Sequence, residues 1–351
     1  MPKSKLPFSL LERLTNAVAV SGDEGEVRKI VLEEINPFVD EVKTDALGNV
    51  LAVKRGRGKK RLRVMIAAHM DEVGFMLVDK AEKGIFRFET VGGVDPRQLV
   101  GKPVWVGKKH VPGVIGAKPI HLTKPDETER KIPVEALRID VGLGNANVNV
   151  GDRAAFATKF RRIGPSIRAK ALDDRLGVAT LIHLLKNPPE NVDILAAFTV
   201  QEEVGLRGAR VAAYAMNPDV AFVLDATPAY DMPHYDEEKE NVRYNTRLDA
   251  GPAIYVADGA TLSDPRLLRH LQETADAEKI PYQIRQPGGG GTDAGAIHRA
   301  RAGVPSVSIS VPTRYLHTAM SLCRAKDWEN TIHLLSAALS RLSPRLLENP
   351  R

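Results

Sequence analysis

Four apolar runs in this chain end in residues able to hold a divalent cation. Val64-Met65-Ile66-Ala67-Ala68 runs into His69-Met70-Asp71-Glu72, and Ile194 to Val200 runs into Gln201-Glu202-Glu203. Val220 to Leu224 runs into Asp225, and Val304 to Ser310 is followed after a short loop by His317. A fifth group, Leu172-Asp173-Asp174-Arg175, opens a helical stretch. Two histidines and several carboxylates without a cysteine form a donor set of nitrogen and oxygen, suited to a borderline-hard ion. A pair of ions about 3.5 to 4 Å apart needs a bridging carboxylate plus roughly one histidine and one more carboxylate each, and such a pair makes water a nucleophile at neutral pH. The inventory fits that count: Asp173 can bridge, His69 with Asp225 can complete one ion, and Glu203 with His317 the other.

Glu202 and Glu203 could not both face one site on a continuing strand, because neighbouring side chains point to opposite faces. The following Val204-Gly205-Leu206-Arg207-Gly208 predicts that the strand stops there, so one glutamate can hold metal while the other stays free as a general base. Asp71, two residues past His69, is placed to accept the second ring N–H of an imidazole ligand. Taken singly, each piece has a plainer reading. A histidine after a strand is commonly a surface or core residue, and paired carboxylates commonly mark a helix start or a salt-bridged face. Their joint occurrence at strand ends gives the metal reading its weight.

Apolar strands alternating with helical periodicity predict the elements that position these residues. Ser21-Gly22-Asp23-Glu24 resembles a capping box, with an amphipathic helix running from there to about Pro37. A strand pair, 49–53 and 64–68, is expected to flank a basic turn from Lys54 to Arg63. From about Gly74 to Gly164 short β-like runs separated by Gly, Pro and Asp predict an inserted all-β, barrel-like domain. After Pro165 come a helix at 176–185, strands at 194–200 and 220–224, helices at 208–216 and 264–277, a strand at 304–310 and a closing helix at 328–342. The fold class expected is α/β, an open sheet with helices on both faces. Its ligands would sit beyond the carboxyl ends of the strands. The division is a discontinuous domain of residues 1–72 and 165–351 with residues 73–164 inserted.

With 351 residues the chain can bury about three quarters of its unfolded surface and needs no metal or disulfide to stay folded. Its 43% hydrophobic and 27% charged residues exclude collagenous and disordered classes, and a single cysteine excludes an intrachain disulfide or a cysteine-rich zinc knuckle. No apolar run reaches a membrane span and the start lacks a secretory core, so a cytoplasmic protein without a membrane partner is expected. A net charge of +6 is too modest to imply nucleic acid.

AHMDEVGF, ALDDR, VQEEVGLRGA, VLDAT, GGGTDA and PTRYLHT, in this order, resemble the glutamyl, or deblocking, aminopeptidase family of co-catalytic metallopeptidases. The resemblance covers nearly the whole chain, from SGDEGEVR onward. It implies an open mixed sheet of the di-zinc exopeptidase type, and metal ligation by His69, Asp173, Glu203, Asp225 and His317. It further implies Glu202 as general base, Asp71 as the residue orienting His69, and Gly291 and Thr292 in the substrate pocket. The cofactors implied are two divalent ions, zinc or cobalt with manganese as an alternative. The partners implied are short peptides and further copies of the chain, from dimers formed through the β insertion to tetrahedral dodecamers. In the hydrolytic mechanism inferred, the ions lower the pKa of a bridging water and Glu202 moves its proton. One departure is that the family usually continues from the last histidine with Ser-Pro, whereas Thr318-Ala319-Met320-Ser321 follows His317.

Rival readings are weaker. A deacylase or carboxypeptidase could share the same two-metal core. Gly288-Gly289-Gly290-Gly291-Thr292-Asp293-Ala294 contains a G-x-G-x-x-A register, but no acidic residue stands where a dinucleotide site needs one. Lys54-Arg55-Gly56-Arg57-Gly58-Lys59-Lys60-Arg61 could serve a nucleic-acid-binding module, yet no aromatic residue interleaves to stack bases. Cys323 reads as a packed thiol.

Overall fold

A computed structural model describes residues 6–348, apart from 59, 81, 126–128, 145–146 and 233–245. Four parallel strands form the middle of a large mixed sheet, in the spatial order Asp193–Thr199, Arg63–His69, Val220–Pro228 and Ser306–Arg314. Glu41–Thr44 and Val50–Lys54 extend it antiparallel on one side; Ser321–Arg324, Ser166–Ala169 and Arg161–Ile163 extend it on the other.

The parallel strands are buried on both faces, which explains their continuous apolar runs. Alternation along Arg63–His69 divides the core. Val64, Ile66 and Ala68 join the cluster under the helices Phe8–Asn16, Gly25–Ile35, Leu172–Lys186, Pro265–Glu278 and Ala325–Arg341. Met65 and Ala67 face the helices Arg207–Met216 and Ala294–Ile297. Each fully buried Leu, Ile or Val contributes about 1.5–3 kcal/mol, so the larger first cluster carries most of the apolar stabilisation. Within it Trp328 is fully buried, and its indole N–H donates to Thr180 Oγ1 at 2.9 Å.

The all-β segment closes on itself. Gly74–Lys80, Ile85–Val91, Arg138–Asp140, Val111–Gly116, Pro103–Val106 and Arg153–Phe156 form a barrel in that order. Its core holds Phe75 edge-on to both Phe88 and Phe156, with centroids 5.1 and 5.2 Å apart. Ala319 packs into the same core, tying the barrel to the segment just past His317.

Several local expectations are corrected. Strands 50–54 and 63–69 do not pair with each other: Asp193–Thr199 lies between them, antiparallel to one and parallel to the other. The basic connection is thus not a hairpin tip, and parts of its charge are matched internally, Arg57 by Glu190 and Arg61 by Asp193. Ser21 does not cap the helix Gly25–Ile35; its hydroxyl donates to Asp71 Oδ2 at 2.6 Å. Arg161–Ile163, inside the expected insertion 73–164, is hydrogen-bonded to Ser166–Ala169 in the large sheet. No helix among the described residues is long and apolar enough to cross a membrane.

Candidate functional site

Because the four central strands are parallel and adjacent, their carboxyl ends share one edge, and each delivers a candidate ligand there. His69 is the last residue of its strand and Asp225 lies within Val220–Pro228. The strand Asp193–Thr199 stops short of the glutamates, as expected. Gln201 takes a positive φ of 56°, Glu202 and Glu203 fall in the turn, and the chain re-enters a helix at Arg207. That helix sits close against the strand end because Gly208 lacks a side chain; a Cβ there would lie 2.4 Å from the Val200 carbonyl oxygen. Asp173 and Asp174, joined by a cis peptide bond, keep non-helical dihedrals at the start of Leu172–Lys186. His317 follows the strand Ser306–Arg314 in a turn closed by Thr318, whose hydroxyl donates to the carbonyls of Tyr315 and Met320. The departure at 318–321 therefore has its own local support.

The five residues assemble as two sets that share Asp173. Ligand atoms of His69, Asp173 and Asp225 lie within 4.8 Å of one another, and so do those of Asp173, Glu203 and His317. His69 Nε2 is 3.1 Å from Asp173 Oδ1 and 3.9 Å from Asp225 Oδ1. His317 Nε2 is 3.5 Å from Asp173 Oδ2 and 3.3 Å from Glu203 Oε2. Each carboxylate oxygen of Asp173 thus serves a different set.

Asp71 lies behind His69, fully buried. The His69 Nδ1 meets the Asp71 backbone oxygen at 3.1 Å and the carboxylate at 3.5 Å. That carboxylate also accepts the backbone N–H groups of Glu202 at 3.0 Å and Glu203 at 3.2 Å. Asp71 thereby holds the imidazole chiefly through its backbone oxygen and the turn that carries the two glutamates through its carboxylate. The spacing from His69 indicated the first contact and gave no hint of the second.

The electrostatics show what the cluster lacks. Burial, reinforced by repulsion from Asp173, pushes Glu203 up to about 7. Burial with neighbouring acids also raises Glu202 and Asp225 well above the ordinary carboxylate range. Burial is the largest influence on the two imidazoles and opposes their charge, but the surrounding carboxylates, Asp173 foremost, together outweigh it, lifting His69 well above its usual value and His317 to about 9. Four carboxyls crowd around two imidazoles: Asp173, held below the ordinary carboxylate range by the two histidines, and Glu202, Glu203 and Asp225, pushed toward their protonated forms. Two divalent cations would neutralise those four carboxylates with both imidazoles neutral, and the nitrogen and oxygen donors suit such ions. The residues present fit the group.

These side chains open into a cavity of about 720 Å3, lined also by Tyr230, Tyr255, Asp258, Arg285 and the glycines 289–291. Gly291 is among the cavity-lining residues. Thr292 does not line the cavity: it is buried, its hydroxyl bonded to Ser308 Oγ at 2.8 Å and directed at Asp258 Oδ2 at 3.4 Å. The helix after the glycines, Ala294–Ile297, is a single turn, which gives the dinucleotide register no support. Cys323 is buried and burial pushes its thiol well up, in keeping with a packed residue. Sequence reasoning missed a second buried charge cluster, in which Glu72 accepts from Lys170 Nζ at 2.7 Å and Arg175 Nη2 at 3.2 Å. Arg175 also donates to the carbonyls of Met70 and Asp71, bracing the segment after His69. Glu72 and Arg175 lie inside the quoted strings AHMDEVGF and ALDDR, so their signal was present without a partner assigned.

A family model described as M42 glutamyl aminopeptidase matches residues 48–334. A lysyl aminopeptidase of Pyrococcus furiosus is 33% identical, over 96% of this chain and 98% of that protein. The crystal structure of a TET aminopeptidase from a marine sediment Thaumarchaeota archaeon superposes with a TM-score of 0.91 at 35% identity, covering 97% of this chain and 98% of the other. A TET1 peptidase of Pyrococcus horikoshii, which can assemble into a tetrahedron or a large octahedral shell, has a TM-score of 0.82 at 32% identity, covering 95% and 99%.

Proposed function

The chain belongs to the M42 glutamyl aminopeptidase family and is an aminopeptidase, a peptide hydrolase; from that premise we propose that it removes N-terminal residues from short peptides with two divalent ions and Glu202 as the base. The observation that carries this reading is Asp173, whose two oxygens face two separate ligand sets. His69 and Asp225 would complete one ion, Glu203 and His317 the other. Bound there, the ions supply Lewis acidity, which lowers the pKa of water and draws charge from a peptide carbonyl.

The chain's own residues do the rest. Glu202 lines the cavity but belongs to neither ligand set, so its carboxylate is free to take a proton from the attacking water and return it to the leaving amine. Asp71 holds His69 and the glutamate turn in one arrangement, so ligand and base keep their relative positions. Zinc or cobalt fits the donor set, with manganese an alternative. The setting proposed is cytoplasmic. The oligomer proposed is built from dimers through the barrel, up to a tetrahedral dodecamer; exposed Ile120, Leu122 and Leu143, at 68, 67 and 77%, supply apolar surface on that inserted segment.

The test is hydrolysis of unblocked aminoacyl p-nitroanilides by chelator-stripped protein, with and without added zinc or cobalt. Metal-restored cleavage, absent on N-acetylated substrates, is expected. Silence across acidic, basic and apolar residues, in protein shown to bind metal, would overturn the reading.

A further inference from the structure

Arg175 lies two residues past Asp173 and is fully buried, yet its guanidinium reaches back to the segment that follows His69. Nε donates to the carbonyl of Leu14 at 3.2 Å and Nη2 to Glu72 Oε1 at 3.2 Å. Nη1 spans two successive carbonyls, Met70 at 2.5 Å and Asp71 at 3.2 Å. The Asp71 carbonyl oxygen is the one that His69 Nδ1 meets at 3.1 Å. With two lone pairs, that oxygen can accept from both. His69 Nε2 faces Asp173 and Asp225, so an ion held there leaves the ring proton on Nδ1, and the Asp71 oxygen then fixes both tautomer and ring direction.

A closed circuit results. It runs from Arg175 to the Asp71 oxygen, through His69 to Asp173, and back along two residues of chain to Arg175. Glu72 does not need Arg175 for its own balance, because Lys170 Nζ already meets both its oxygens, at 2.7 and 2.8 Å. What Arg175 adds is a planar fork of donors able to grip several carbonyls at once. The second ligand set has no such brace. The side chain of His317 is 42% exposed, against 3% for His69, and its partners among the described residues, Asp173 and Glu203, both lie on Nε2.

We infer that Arg175 is a positioning residue for the first ion: by holding the Asp71 carbonyl against His69 Nδ1, it aims that imidazole at Asp173 and sets the affinity of the set His69, Asp173 and Asp225. This rests on the two-ion reading above. The test is zinc affinity, measured by competition with a chromophoric chelator, in two backgrounds that each keep one set. His317→Ala keeps the first and His69→Ala the second. Arg175→Met should weaken zinc by about 10- to 100-fold in the first background and by less than about threefold in the second, the range found for outer partners of a ligating imidazole. Glu72 stays paired with Lys170 in that variant, so no buried charge is orphaned. Arg175→Lys keeps the charge without the fork, should fall between, and serves if the methionine variant does not fold. The visible absorption of bound cobalt should change with Arg175→Met in the first background and keep its form in the second. Equal weakening in both backgrounds would make Arg175 a purely structural residue, and no weakening in either would remove the role; each overturns the inference and leaves the two-ion reading intact. Zinc lost from the His317→Ala parent while the wild type binds it also overturns the inference, since the first set would hold no ion of its own. Wild-type protein that takes up no zinc fails the two-ion reading, and the inference falls with it.

Discussion

Asp71 and Glu72 are neighbours in sequence, yet they serve two buried charge clusters of opposite design. Glu72 faces Lys170 and Arg175, and those cations also bond the carbonyls of Ala17, Leu14 and Met70, so one carboxylate is shared by two cations whose remaining hydrogen bonds the backbone accepts. Asp71 backs onto a cluster with four carboxyls and two imidazoles, in which burial drives Glu202, Glu203 and Asp225 toward their protonated forms. A cluster matched from within holds the chain together, whereas one left short of cations awaits something from outside. Burial alone does not separate the two; the balance of partners does.

Glu202→Gln gives the sharpest contrast. It should retain both metals and lose about a thousandfold in kcat, checked by metal content alongside p-nitroanilide turnover. An active variant would remove Glu202 from its assigned role. On the matched side, Glu72→Gln leaves Lys170 and Arg175 buried together without their anion. It should lower stability by about 3–5 kcal/mol in denaturant unfolding, and a loss below about 1 kcal/mol would break the distinction drawn here.

The third prediction concerns pH. Glu203 is raised from 4.5 to about 7, so its cost is absent below the lower value and full above the higher. His317 is raised from 6.5 to about 9, so its favourable contribution is full below 6.5 and lost as pH climbs through 9. Both act in the same direction. Chelator-treated protein should lose stability between about pH 5 and 9, Glu203 alone contributing on the order of 2 kcal/mol, and saturating zinc should flatten the profile. Melting temperatures at pH 6 and 8.5, with and without metal, check it; a higher value at pH 8.5 in stripped protein would contradict the charge deficit. Smallest is Ser21→Ala, which removes one hydrogen bond to Asp71 and should cost about 1 kcal/mol, read by the same unfolding measurement.

Much of this was legible in the residues. The metal candidates stood out because strands buried on both faces leave uninterrupted apolar runs, and their polar successors must lie at one sheet edge. The ligand count allowed Asp173 as a bridge, and its two oxygens face separate sets. Strand order was not legible, since nothing local states that Asp193–Thr199 inserts between 50–54 and 63–69. The errors at Ser21 and Thr292 share that cause: a hydroxyl beside a helix start or a glycine loop has a plausible local partner, and here a distant carboxylate or serine took it instead.

The order in which the ligands occur along the chain has a consequence for biosynthesis. The set of His69, Asp173 and Asp225 is complete once residue 225 has been made, but the second set waits for His317, beyond the last parallel strand. Under the two-ion reading proposed above, a nascent chain completes the first set before the second. On that reading a chain that has not yet reached His317 lacks one ion site and would be inert toward the peptides around it.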